Sequence, residues 1–561
     1  MRLNDVPGRS LEKEVKRMKS LVRLLVISSV TFLLLTEGGY AGSSQSGLNC
    51  YSLGSRAKGC TETVDNIVNL TVVSRDSNVY KAEYRAGFIQ GKLHKEIILS
   101  ARDNYWDMAY LTDPDHTFPK QLPPSEKELS NAQEVLIENY KYTLCYIRNV
   151  RDPELAKEFK RLVFRLLGIY HGTRLDQPAS LNFRGDWLPE LPYFSLPELA
   201  LGYEKTDLTF MDVYFINAYA DVLDVMSNLP EVSGPNRLSK CSAFVKKTAD
   251  DIFITHNSWS GYLSQTMVMN LFVNDDFMTF NALSPGLIGS LTDFGYNNKG
   301  LMFNETTHRA SYTEPKTYAL WMFWRAALAE QFGTSLDDFF RYVSLEPSGT
   351  YMNGYMVVDT KTEEIGLIEM SYKSFVYFKP DGSGGYTVIT KPDGLSIEYD
   401  AELLQDDYIL GINYPVSYQI RDDLQSKDNR PARRRQFMER IGNVNDIETA
   451  KALITYTDPN NPLSIYGRWD LGYGETPYRK IVPDGSIDAK AASASMAAEA
   501  MSLKGTFSLH SPRKGFWMKY GTPYVNGLPF IWSSSQWSGQ KLRDVPDIVD
   551  GQYDYLNLYV K

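Results

Sequence analysis

The chain is poor in the residues that most often build metal centres. Six histidines and four cysteines are spread over 561 residues, with no H-E-x-x-H and no paired C-x-x-C, so no dedicated metal site is expected. No G-x-S-x-G elbow occurs, which leaves an α/β-hydrolase serine unsupported, and no Walker or dinucleotide glycine pattern occurs either; no cofactor is expected. Positive charge is not in excess: the net charge is −9, and without clustered cations there is no footprint for nucleic acid. The one basic run, "NRPARRRQF" at Asn429 to Phe437, reads as a solvated helix start. Long apolar stretches are absent after the beginning of the chain. There, a basic segment ending "EVKRMKS" precedes the apolar run Leu21 to Leu35, and small residues follow around Ala41. The run is short of the roughly 20 residues of a membrane span. It reads as a signal peptide over residues 1–41, starting at Met1 or more compactly at Met18. The expectation is an exported protein (secreted, periplasmic or in a lysosome-like lumen) with no stable membrane span after signal removal.

What is present is ordinary globular composition with an aromatic bias. The hydrophobic fraction is 43 %, the charged fraction 23 %, and the aromatic fraction 13 % with 37 Tyr, which suits a β-rich, pocketed protein. From about Asn49 to Ile98 the pattern is strand-like and then helical through "YRAGFIQGKLHKEIILSARDNYWDMAY"; Pro124 to Tyr170 carries apolar residues at helical spacing. Residues 227–240, "SNLPEVSGPNRLSK", read as an exposed loop. From Cys241 onward short β-type runs take over, from "CSAFVKK" and "DIFITHN" to "EIGLIEMS" and "KSFVYFK". A helical block, "KTYALWMFWRAALAEQF" then "SLDDFFRYVSL", lies among them, with Ser335 and Asp338 in capping-box spacing. Hairpins with helices inserted between them predict an α+β fold with helices packed on antiparallel sheets.

The cysteines divide by context. In an oxidising compartment Cys50 and Cys60 are close enough in sequence to close a small loop and are the best disulfide candidates. Cys145, in "YKYTLCYIRN", is expected as a buried small hydrophobe on an apolar helix face. Cys241 is left without an obvious partner. On residue type alone it is an inert core thiol. Its place at the start of a strand, directly after a loop, is also where a cut leaves a cysteine as a new N-terminus. The freed α-amino group, with a reference pKa of about 7.7–8.0, can take the thiol proton and hand it to a leaving group. His256 follows Cys241 across a predicted hairpin, so strand pairing can set it beside the thiol, either as a structural histidine or to polarise the thiol.

The segments "KCSAF" (240–244) and "HNSW" (256–259) occur in that order, followed by "NETT" (304–307), "SGTYMNGYMVVD" (348–359), "RWDL" (468–471), "GSIDAKAAS" (485–493) and "LPFIWSSS" (528–535). Together with "YRAGFIQGKLHKEI" upstream, this series resembles the phospholipase B-like family of lamina-ancestor type, within the N-terminal nucleophile (Ntn) hydrolases. Coverage runs from about residue 75 to about 540. The family's cysteine pair near the mature N-terminus also resembles Cys50 and Cys60. The sequence departs from the family pattern at Met352 and after Arg468, and it lacks a late, closely spaced cysteine pair.

The resemblance implies an αββα four-layer sandwich of Ntn type with a helix-weighted N-terminal segment. It further implies self-cleavage between Lys240 and Cys241, and two fragments that stay associated: residues 42–240, and a catalytic core over 241–561. It places the Thr307 hydroxyl near the nucleophile. By likeness to the wider group of N-terminal-cysteine amidases, Asn413 in "GINYPVS" stands as an oxyanion donor and Arg468 as a cation near the thiol; a turn cap and an ion pair are the alternatives. Asn353 competes for the donor role, while Asn257 and Trp259 line the pocket or simply pack. The implied activity is cleavage of an acyl ester in a phospholipid-like substrate. An amidase acting on N-acylated lipids or amino acids, and a non-catalytic lipid-binding protein on the same fold, are the alternatives. Two N-x-S/T sequons, at Asn69 and Asn304, are noted, the second discounted because it overlaps a predicted site strand.

Overall fold

The computed structural model of the protein describes residues 48–110, 124–184, 187–227, 241–274, 276–290, 293–395, 398–428, 431–460, 464–467 and 484–502, and further on 515–521, 523, 529–535, 538–539 and 541–553. The expected signal segment 1–41, Lys240 of the expected cleavage site and Arg468 lie outside the described residues.

Capping decides where the helices begin. The Ser125 hydroxyl accepts the Glu128 N–H and the Glu128 carboxylate accepts the Ser125 N–H (3.2 and 2.7 Å), which starts the helix Glu126–Asn149. Asp152 caps Pro153–Arg174, with proline in its first turn. Ser335 accepts the Asp338 N–H as its spacing predicts, but the Asp338 carboxylate accepts from Thr334 rather than Ser335. The block beginning at Lys316 becomes helical only at Met322. The N–H groups of Met322 and Phe323 donate to the buried carboxylate of Asp221 on another helix (2.8 and 3.1 Å), so a tertiary contact sets this start. Cys145 corrects its expectation, for it is exposed. Leu144 takes the buried position, and one residue further turns the helix by about 100° toward solvent.

The predicted β-runs form strands, and the protein is α+β. Among the described residues the larger sheet has eleven strands. Its middle runs Ile67–Ser74, Met267–Val273, Phe277–Leu283, Phe294–Asn297, Leu301–Thr307, Asn353–Asp359 and Glu364–Met370 as successive neighbours. The smaller has eight, with Tyr408–Gly411, Ser242–Lys247, Ile252–Asn257, Asp488–Ser493 and Trp517–Gly521 adjacent. Ile67–Ser74 pairs in parallel with Met267–Val273, from Val68↔Met267 to Ser74↔Val273, so chain from both sides of Cys241 shares one sheet. Leu301–Thr307 packs against Ser242–Lys247 and Ile252–Asn257. Buried Asn304 ties the two sheets there, donating to the Thr255 carbonyl (2.7 Å) and reaching that of Phe244 (3.4 Å). That bonding, like the burial of Asn69, leaves neither sequon presented to solvent. Val79–Tyr110 and Met322–Phe332 pack on the larger sheet, and Ile447–Ile454 and Ala494–Met501 on the smaller.

The helices Val79–Tyr110 and Pro153–Arg174 cross with backbone nearly touching backbone. A Cβ at Gly87 would stand 2.1 Å from the Arg165 carbonyl oxygen, and one at Gly168 would stand 2.2 Å from that of Tyr84. The sequence writes this reciprocally as "GFIQG" and "GIYHG". Beside the crossing, Arg161 and Arg165 donate to the buried carboxylate of Glu83 (2.9 Å each). Gly168→Ala therefore forces the helices apart and is expected to lower stability by at least about 1–3 kcal/mol, the usual cost of overpacking. Gly442→Ala, where a Cβ meets nothing within 4 Å, is the neutral control in a comparison of unfolding midpoints.

Candidate active site around Cys241

A tight turn collapses the distance between Cys241 and His256. The Thr248 N–H donates to the Asp251 carbonyl (2.9 Å), and the flanking strands pair with Ser242 opposite Asn257 and Ala243 opposite His256. On the other side of His256 stands Lys490, and on the other side of Ala243 stands Gly411. Asp293 and Glu305 arrive from the larger sheet, joined by the Glu305 N–H donating to the Asp293 carbonyl (3.1 Å). The ligating atoms of Cys241, His256, Asp293 and Glu305 all lie within 4.8 Å of one another, and all four residues are buried.

Electrostatics there follow from loss of water. Burial, then the nearby carboxyls of Glu305 and Asp293, push the Cys241 thiol up; the backbone N–H of Trp259 and the Lys490 ammonium act the other way. Asp293 and Glu305 are both pushed up, first by burial, and Glu305 next by the proximity of Asp293, so this pair holds a proton where ordinary carboxyls would not. Tyr351 donates to Asp293 Oδ2 (2.9 Å), and the Thr307 hydroxyl donates to Glu305 Oε1 (3.0 Å). Burial, then Lys490, pushes His256 far down and keeps its ring neutral, with only the Glu305 backbone working in the other direction. Neither ring nitrogen makes a hydrogen bond of regular geometry.

A cationic arm closes the other side. Arg433, fully buried, donates through Nη1 to the Cys241 carbonyl (2.7 Å) and to Asn413 Oδ1 (3.2 Å), and its guanidinium lies 5.1 Å from the Trp259 ring centroid. Asn413 adopts a left-handed φ of 63° and donates to the Thr307 carbonyl (2.8 Å). Its loop is anchored by the N–H groups of Val416 and Ser417 donating to the buried Glu369 carboxylate (2.7 Å each). Lys490 is held against Asp488 and the Ser258 hydroxyl (2.7 Å each).

The residues singled out by sequence fall into distinct places. Cys241, His256, Thr307, Asn353 and Asn413 come together, with Asn353 opposite Thr307 and adjoining Glu305. Asn257 is engaged with backbone: it accepts from Ser242 N–H (3.1 Å) and donates to the Ile465 and Ile454 carbonyls (2.8 and 3.2 Å). Trp259 forms a wall under Arg433 and against Gly467. Cys50 and Cys60 form a disulfide across paired strands. Sequence reading missed Asp293, Glu305, Tyr351, Arg433 and Lys490 as site residues. Three of them lie inside quoted motifs: Glu305 in "NETT", Tyr351 in "SGTYMNGY" and Lys490 in "GSIDAKAAS". Asp293 carried no signal. Arg433 corrects the reading of its basic run as a solvated helix start, since its neighbour Arg434 pairs with Asp400 and Glu402 while Arg433 turns inward.

Comparison with known proteins gives a match of the Phospholipase B family model to residues 196–548, more than half of the chain. "Phospholipase B" of Crotalus adamanteus is 24 % identical over 507 residues, 80 % of this chain and 83 % of that protein. "Phospholipase-B 81" of Drysdalia coronoides is 23 % identical over 508 residues (80 % and 83 %), and "Phospholipase B-like 1" of Rattus norvegicus is 22 % identical over 495 (80 % and 82 %).

Arg433→Met keeps side-chain bulk but removes the Nη1 donor from the buried Cys241 carbonyl and from Asn413 Oδ1. At about 1–3 kcal/mol for a buried acceptor left unpaired, the expected loss is at least about 1–3 kcal/mol in denaturant unfolding. Arg433→Lys recovers only part of it, because a single ammonium lacks the planar fork.

Proposed function

The chain belongs to the phospholipase B family and is a hydrolase, and on that basis we propose that it is an exported, self-processing cysteine hydrolase of the Ntn class that cleaves acyl ester bonds of phospholipid-like substrates. The observation that carries the reading is the Cys241 thiol, at the head of a strand and buried against His256 and two proton-sharing carboxyls. The stacking of helices on a sheet, sheet on sheet, and further helices supports the αββα sandwich that this class uses.

In this reading Cys241 Sγ attacks the carbonyl carbon of residue 240. The carboxyl pair takes the thiol proton and returns it to the departing Cys241 nitrogen. Water then hydrolyses the resulting thioester and frees the α-amine. In turnover the amine serves as base: it takes the thiol proton, delivers it to the alkoxide of the ester as the alcohol leaves, and water clears the acyl-thioester. The developing oxyanion needs fixed donors. Asn353 is the better placed amide, being buried beside Glu305 with no hydrogen bond of regular geometry to hold it, whereas Asn413 is firmly engaged with Thr307 and Arg433. Asn413 and Arg433 position the Cys241 backbone. Export is supported by residues 1–41 and by the Cys50–Cys60 disulfide, which suits an oxidising compartment. Among the described residues no helix is long and apolar enough to cross a membrane.

The test pairs intact mass and N-terminal sequencing with turnover of matched phospholipid esters and N-acyl amides. The mature protein is expected to contain a fragment beginning at Cys241 and to prefer the ester. Cys241→Ala should remain uncut and lose about 10³-fold or more in turnover, as nucleophile removal does elsewhere. Wild-type turnover by Cys241→Ala overturns the assignment. A preference for amides moves the substrate to N-acyl compounds, and a cut protein with neither activity leaves a binding role.

A further inference from the structure

Among the described residues His256 and His308 are the two histidines with both ring nitrogens buried and without a hydrogen bond of regular geometry, and of these only His256 stands in a cluster of metal-ligating groups. The large majority of buried side-chain polar atoms are hydrogen-bonded, and an imidazole buried without a regular partner is destabilising unless a ligand meets it. Around it stand the Asp293 and Glu305 carboxyls, which share a proton and of which Oδ1 and Oε2 make no hydrogen bond of regular geometry, and the thiol of Cys241 completes the group. Four ligating atoms thus converge within 4.8 Å: the thiol sulfur, an imidazole nitrogen with no regular hydrogen bond, and one oxygen from each carboxyl.

We infer that Cys241, His256, Asp293 and Glu305 form a binding site for a divalent transition-metal cation of the zinc type, whose occupancy ties up the nucleophile and holds the hydrolase inactive. One thiolate, one imidazole and two carboxylates make the mixed S, N and O set that zinc accepts in tetrahedral geometry. With bonds of about 2.0–2.3 Å, the ligand atoms of such a site stand roughly 3.2–3.8 Å apart, so the four groups need to close by only about 1 Å or so. Charge also balances. Three anionic ligands against a dication leave one negative charge, with the Lys490 ammonium acting on Cys241, His256 and Asp293, and Arg433 on the Cys241 carbonyl. The ligands come from, or directly adjoin, four different strands, which is why no ligand spacing is visible along the sequence. Binding rests on these side chains alone; its effect on turnover rests on Cys241 being the nucleophile proposed above.

The full chain, stripped with chelator, is titrated with Co²⁺ as the spectroscopic probe and then with Zn²⁺. The expected result is one Co²⁺ per chain with a thiolate-to-cobalt charge-transfer band, displaced by Zn²⁺, and a raised unfolding midpoint with stoichiometric Zn²⁺. Cys241→Ser should abolish the band, and His256→Gln should weaken binding by at least about tenfold, the lower range for disturbing even an outer partner of a metal ligand. Zn²⁺ should suppress ester turnover, with recovery on chelation. No band and no stabilisation in wild type overturns the inference, as does a band that survives in Cys241→Ser. If His256→Gln fails to fold, the near-isosteric Cys241→Ser still decides the matter. Metal binding together with undiminished turnover in Cys241→Ala would refute the nucleophile and leave the metal site standing; metal-free behaviour with a dead Cys241→Ala would do the reverse.

Discussion

Two carboxyls and a thiol held together out of water form an arrangement that proteins ordinarily avoid, because each loses hydration and each disfavours ionisation of the others. Here that constraint organises its surroundings. Lys490 is fixed by Asp488 and Ser258 so that a positive charge faces the cluster, and Arg433 is buried to hold the carbonyl of the same cysteine whose thiol the carboxyls surround. Tyr351 and Thr307 each give a hydroxyl hydrogen to one carboxyl. Each of these groups needs its own support. Tyr351, for instance, donates its backbone N–H to Asp224 on the helix Phe210–Met226 (2.7 Å), which ties the site to helices packed outside the sheets.

The layers that shut out water are therefore part of the chemistry. Asn304 spends its side-chain donors on backbone carbonyls of the facing sheet and fixes how the strand bearing Glu305 lies over the strand bearing His256. Adjacent residues on one strand thus divide the labour, Asn304 setting the sheet-to-sheet approach and Glu305 the acidity of the site. A glycine crossing between two long helices supports the far side of the larger sheet, where any added methyl group would meet a carbonyl oxygen.

Much of this is legible in the amino-acid sequence. The strands after Cys241, the hairpin joining it to His256 and the Cys50–Cys60 pair follow from local periodicity, turn residues and cysteine spacing. What escaped was set by tertiary contacts. The helix expected from Lys316 waits for Met322 because its cap is Asp221, a hundred residues earlier in the chain. Arg433 reads as surface because its neighbours are basic, and only the path of its short helix sends it inward. Asp293 has no motif at all; its left-handed φ of 61° and its place beside Glu305 arise from strand order in the sheet. Cys145 failed for the opposite reason: an apolar helix face was correctly seen, but the cysteine sits one residue beyond it.

The parallel ladder between Ile67–Ser74 and Met267–Val273 has a bearing on any cut made just before Cys241. The strand from the earlier piece lies between its antiparallel neighbour Ala57–Val64 and a strand of the later piece, so the seam runs through the interior of a continuous sheet. Parallel strands cannot be joined by a tight turn and find each other only after the intervening chain has folded back. Such a nick, if made, would therefore fall in a molecule whose sheet is already assembled. The two products would be separable by denaturant but not by dilution, and a mixture of the two made apart would face an assembly problem that the uncut chain solves by connectivity.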